Sequence, residues 1–305
     1  MLPAMIGAIP NAASVELLLA AFKAPLAASV DGLRYADIVL MVVGAALALQ
    51  LGYAAIARRR SLLGAADLQI PPPMPAEFVV APMMAYLVAA ALMSPLLARL
   101  FGESGQPHEP SYSGLLATHA ALVAGGLASV VVLRRVSTDA DAANADRTRP
   151  WVREALVGLL VALAVCQGLL HLTRQIVLRI DPQHAFHQHT VLEALQRPNR
   201  PAWLPAAMWI GVTVIAPAAE ELFFRGVLLT AFLRATRRRA LALTITSVFF
   251  GLAHFQQVQD VPALAAFGAI LGALYLRTRS LKAPILVHAL FNAKTMLWLA
   301  LGAPA

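Results

Sequence analysis

Eight apolar runs, most of them about 18 residues or longer and separated by short arginine clusters, govern what this chain can fold into. A run of that length crosses the hydrocarbon of a bilayer as a helix, because only a helix satisfies its own backbone N–H and C=O groups away from water. The runs cover residues 36–57, 78–100, 114–133, 155–172, 204–233, 241–255, 261–276 and 283–301. Composition agrees, with 59% hydrophobic and only 13% charged residues, where a soluble domain carries about 25% charged. The expected fold is all-α, a polytopic membrane protein of about eight transmembrane helices.

The formal net charge is +8. A basic balance often signals nucleic-acid binding. Here the basic residues form no stripe, and clusters such as Arg58-Arg59-Arg60, Arg134-Arg135 and Arg237-Arg238-Arg239 sit between apolar runs. With the N-terminus outside, fifteen of the 24 Lys and Arg residues fall on the inner side and seven on the outer. That excess predicts a multi-pass protein of the cell membrane with its short basic loops cytoplasmic. Membrane lipid is the expected partner, and nucleic acid is not. The single cysteine, Cys166, permits no intrachain disulfide. The first 22 residues hold no Lys or Arg, so the charged start of a secretory signal is missing. Residues 12–24 read as an interfacial amphipathic helix and 136–149 as a mobile loop.

Of the 16 acidic residues, Glu220 and Glu221 fall deep inside a predicted span. A carboxylate there costs about 2.5–3.5 kcal/mol on insertion scales and signals a functional site by default. Glu221 and Arg225 are four apart and share a helix face, so they can pair. Glu220 points elsewhere and has no partner on its own helix. An unpaired buried carboxyl suits general base and acid work. Candidate partners lie in later spans. His254 has Phe250 one turn earlier, while His288 and Asn292 are one turn apart and project into one space. Glu220 lies 14 residues from Arg234 and His254 lies 14 from Ala240 at the inner boundary, each about 21 Å at helical rise. His288 is only six residues past Lys282, about 9 Å by the same rise, so a tilt is needed to level it with the others.

Glu220-Glu221-Leu-Phe-Phe-Arg225 resembles the EExxxR motif of the CAAX protease and bacteriocin-processing (CPBP, or Abi) family, which includes the type II CAAX prenyl endopeptidases. Phe250-Gly-Leu-Ala-His254 resembles its FxxxH motif, and His288-Ala-Leu-Phe-Asn292 its HxxxN motif. The resemblance implies an intramembrane endopeptidase, its catalytic residues in the C-terminal four helices, acting on a peptide or membrane-protein substrate. Glu220 and His254 would activate a water, and His288 and Asn292 would stabilise the oxyanion. Glu221, Arg225 and Phe250 would support them. The chain then divides into N-terminal helices (1–172), a polar amphipathic connector (173–203) and a catalytic helical core (204–301).

No cofactor is required by this chemistry. A divalent ion such as zinc, held by Glu220, His254, His288 and Asn292, is the competing arrangement, but the HExxH helix of the usual zinc peptidases is absent. Two other functions compete. One is a non-proteolytic membrane scaffold or bacteriocin-immunity protein, since the first half carries no recognisable chemistry. The other is a proton-coupled transporter, since Glu/His chains also relay protons. The lack of an internal repeat argues against the transporter.

Overall fold

The computed structural model describes residues 35, 37–53, 63, 70–101, 111–138, 151–184, 186, 190–196 and 201–300. The segments read as an interfacial helix (12–24) and, beyond Thr138, as a mobile loop lie outside them. So do Arg58–Arg60, His187 and His189. Each of the eight apolar runs forms a helix within the described residues, the sixth only as far as Leu252, and no strand occurs among those residues. The helices are α1 (Asp37–Tyr53), α2 (Glu77–Phe101), α3 (Tyr112–Val136), α4 (Trp151–Ile180), the short α5 (Thr190–Gln196), α6 (Leu204–Thr236), α7 (Arg239–Leu252), α8 (Val261–Thr278) and α9 (Lys282–Ala300). A 3-10 turn, Phe255–Asp260, joins α7 to α8.

Among the described residues, five helical stretches are long and apolar enough to cross a membrane: α2, α3, α4, α6 and Gln257–Thr278. α1 and α7 are apolar but shorter. The protein is an all-α polytopic membrane protein.

α4 runs eight residues beyond the predicted end at Leu172 and takes in the start of the expected polar connector. Its apolar pattern resumes at Ile176, Val177, Leu178 and Ile180, and nothing in between breaks a helix. The extension is tied down where Thr173 Oγ1 donates to Gln259 O at 2.9 Å.

The main core lies around α8. Ala155, Ala162 and Cys166 of α4 pack there with Phe250 of α7, Phe267 and Leu271 of α8, and Val287 of α9. Small residues let the helices meet closely, which is how helices associate in lipid without a hydrophobic driving force between them. Two ion pairs also join helices. Arg277 donates from Nε and Nη2 to the two Glu154 oxygens, each at 3.1 Å, joining α8 to α4. Lys294 of α9 lies 2.9 Å from Asp37 of α1, whose other oxygen accepts from Trp298 Nε1 at 2.6 Å.

Candidate active site

α6 builds the site, and its helical register is disturbed on both sides of the acidic pair. π-helical turns span Gly211–Ile215 and Leu222–Leu229, flanking Ala216–Glu221. Such turns recur at functional sites. The first has a visible cause and a visible effect. The Ala216 N–H donates to Gly211 O, five residues back. In that register the next carbonyl, Val212 O, would be met by residue 217, which is proline and has no N–H. The freed carbonyl accepts instead from Asn292 Nδ2 of α9 at 2.9 Å.

Glu221 is fully buried and takes two charge-assisted hydrogen bonds on one oxygen. Arg225 Nη1 donates to its Oε1 at 2.6 Å and His288 Nδ1 lies 2.9 Å from the same atom. Arg225 is held further by Gly268 O of α8, 3.0 Å from Nη2, and by the face of Phe250, 4.6 Å below its guanidinium. The i, i+4 pair expected on α6 is therefore extended across three other helices.

Glu220 stands apart from this network. Its Oε2 is buried and makes no hydrogen bond. The nearest basic atom is His288 Nε2 at 3.9 Å. His288 therefore faces both carboxylates, one through each ring nitrogen. The contact itself fixes the relative level of α6 and α9, so a depth counted from Lys282 does not describe it.

His254 departs from expectation. The sixth run was expected to stay helical to residue 255, but α7 ends at Leu252, and His254 heads the 3-10 turn at φ −107°, ψ 26°. Crowding explains the stop. A Cβ on Gly251 would lie 2.8 Å from Val261 O and 2.9 Å from the Ala265 Cβ, so α7 and α8 touch there and the chain must turn. His254 Nδ1 lies 2.9 Å from Phe250 O, which as an acceptor fixes the ring proton on Nδ1. No hydrogen bond or ion pair joins His254 to Glu220. What the two imidazoles share is the buried Phe250 ring, with centroids 5.3 Å from His254 and 5.8 Å from His288.

The structure thus gathers Glu220, Glu221, Arg225, Phe250 and His288 into one cluster. Asn292 lies one turn along α9 with its amide on Val212, and His254 borders the cluster through Phe250.

One nearby group escaped the sequence reading. Asp260 precedes Val261-Pro262 and so looks like an ordinary helix N-cap. It makes no side-chain cap bond. Its carboxyl instead acts electrostatically on Arg174 and His254, and its Oδ1 is buried without a hydrogen bond.

Among the described residues, no three His, Cys, Asp or Glu side chains gather closely enough to share a metal ion. What the cluster can do is hold a polarised water against Glu220, within apolar walls that strengthen every charge interaction.

Fold and site together define a polytopic helical membrane protein with an acid–imidazole centre buried among its helices. Residues 202–294, nearly all of α6 to α9, match the family model described as Type II CAAX prenyl endopeptidase Rce1-like. This part of the chain is similar to the CAAX protease (CPBP) family, whose general activity is that of an intramembrane peptidase. The match does not extend to α1–α4. No curated protein and no solved structure matches the chain.

Proposed function

We propose that the chain is a glutamic intramembrane endopeptidase in which Glu220 is the general base. The observation that carries this reading is the buried, unbonded Glu220 Oε2, 3.9 Å from His288 Nε2 among apolar helices. Atoms that far apart cannot bond directly, but one water can reach both at about 2.8 Å.

Glu221 accepts the Nδ1 proton of His288 and so turns the Nε2 lone pair toward Glu220. The water then donates to the carboxylate and to the imidazole, and its own lone pair is left to attack. As the oxygen–carbon bond forms, Glu220 takes a water proton and the substrate carbonyl becomes an oxyanion. As the C–N bond breaks, that proton passes to the leaving amine, and the second water proton stays on the acyl product, giving a carboxylic acid and an amine. Asn292 keeps a second amide N–H for the oxyanion, and His254 presents its Nε2 as a proton carrier beside Phe250. This sequence of steps uses no metal ion. The substrate is a polypeptide presented from the bilayer, and lipid is the enclosing partner. The protein sits in the cell membrane with its short basic loops cytoplasmic.

The test is cleavage of a peptide library by the detergent-purified protein, read by mass spectrometry, against Glu220→Gln. The expected loss is about 10³-fold with unchanged thermal unfolding. Equal cleavage by both proteins sinks the reading.

A further inference from the structure

α3 carries a histidine that the steps above do not use. His119 lies against α6 at a residue with no side chain. A Cβ on Gly211 would come within 2.1 Å of His119 Nε2 and 2.3 Å of its Cδ2. Atoms cannot approach so closely, so the imidazole fills the place of a side chain at position 211. The ring is anchored there, with Nδ1 2.7 Å from Leu115 O, one turn back on α3. A carbonyl only accepts, so the ring proton is on Nδ1.

The spacing of contacts between the two helices shows what this does to α6. Gly126 of α3 receives Ala219 of α6, where an added Cβ would lie 3.2 Å from the Ala219 Cβ. On α3 the two contacts are seven residues apart, from 119 to 126, which is about two turns of regular helix. On α6 they are eight apart, from 211 to 219. The extra residue falls in the π turn Gly211–Ile215. Had α6 stayed α-helical, residue 212, seven before Ala219, would face His119. That residue is valine, and its branched side chain has no room where a single Cβ already collides with the ring.

The effect reaches the site through one carbonyl. In the α register the Ala216 N–H would return to Val212 O, four residues back. In the π register it donates to Gly211 O, and Val212 O is left to Asn292 Nδ2 at 2.9 Å. We propose that His119 is a positioning residue of this centre: its ring excludes Val212 from the α3–α6 contact, holds α6 in the π register, and so fixes the Asn292 amide that faces the oxyanion. The inference rests on the reading of Glu220 and Asn292 above. It adds a contribution from α3, which the family match does not reach.

The experiment uses the full-length protein in one detergent and the best-cleaved library peptide. His119→Ala opens room for Val212. It is expected to lower kcat about 10²-fold and leave KM within about twofold. Made in an Asn292→Ala background, the same substitution is expected to change kcat by less than about twofold, because the group it positions is gone. His119→Phe keeps a flat ring against Gly211 and is expected to stay within about threefold of wild type. Gly211→Ala drives a methyl into the ring from the α6 side and is expected to slow the enzyme only while Asn292 is present. That pair carries the test should His119→Ala fail to fold. Equal losses of kcat with and without Asn292 overturn the proposal, since a general loss of structure acts in either background. A His119→Phe enzyme as slow as His119→Ala overturns it too, as does a raised KM with unchanged kcat. Wild-type kcat in His119→Ala beside an inactive Glu220→Gln overturns this proposal and leaves the Glu220 reading intact. If Glu220→Gln cleaves like wild type, the underlying reading fails, and this proposal with it.

Discussion

α2 and α8 are both long apolar helices, and α2 is the more apolar. Yet only 6% of the α2 spanning stretch is buried inside the protein, against 44% for α8. In water that order would be inverted. In a bilayer, lipid tails are as apolar as leucine, so hydrophobicity gives a helix no reason to be interior. What draws α8 inward is small residues and acceptors. Gly268 lets Phe250 approach, so that a Cβ there would lie 3.2 Å from the Phe250 Cβ, and its carbonyl accepts a hydrogen bond from Arg225. α2 has Leu87, Val88, Leu92 and Leu96 turned out to the lipid and contributes packing on α3, where Pro82 and Tyr86 meet Gly125. In this protein, interior position follows polarity and small size.

The sharpest way to break that comparison is to remove charge from the interior. Glu221→Gln strips Arg225 of its buried partner and His288 of its anchor. The expected loss is about 3–5 kcal/mol, read by thermal unfolding, with cleavage falling as well. A silent Glu221→Gln would mean that polarity does not hold α8 and α9 to α6. A direct comparison of the two helices comes next. Leu271→Ala on α8, where the side chain is fully buried, should cost about 2–4 kcal/mol. Leu92→Ala on α2, 61% exposed, should change stability by less than about 0.5 kcal/mol. Equal losses would mean that α2 is covered by a partner in the membrane.

The smallest effect tests the π turn. Asn292→Ala should cost about 1 kcal/mol, the scale of interhelical hydrogen bonds in membranes. In a Pro217→Ala background residue 217 regains an N–H for Val212 O, and the same substitution should then cost clearly less. A double-mutant cycle with no coupling would reject the link between the proline and the asparagine.

The helices were legible in the sequence because apolar run length is a local property. So was the Glu221–Arg225 pair, which follows from helical spacing alone. The rest was hidden for two physical reasons. Some contacts join helices whose relative register leaves no trace in either helix. His288 meeting Glu221 obeys no period. Other features depend on crowding by a distant segment, as when α8 presses on Gly251 and ends α7 before His254. Pro217 was a readable clue to the freed Val212 carbonyl, but only once the five-residue register was known. Asp260 was masked by its resemblance to a routine cap.

Arg225 has a consequence for how the chain is made. Its guanidinium is completed by Glu221 from its own helix, by Phe250 of α7 and by the Gly268 carbonyl of α8. During synthesis α6 must enter the bilayer while the last two contributors are still inside the ribosome or translocon. A nascent chain whose α6 has entered lipid before α7 and α8 emerge carries a half-solvated cation there. Such intermediates should be held at the insertion machinery or sent to quality-control proteolysis, and release should come with arrival of the α7–α8 hairpin.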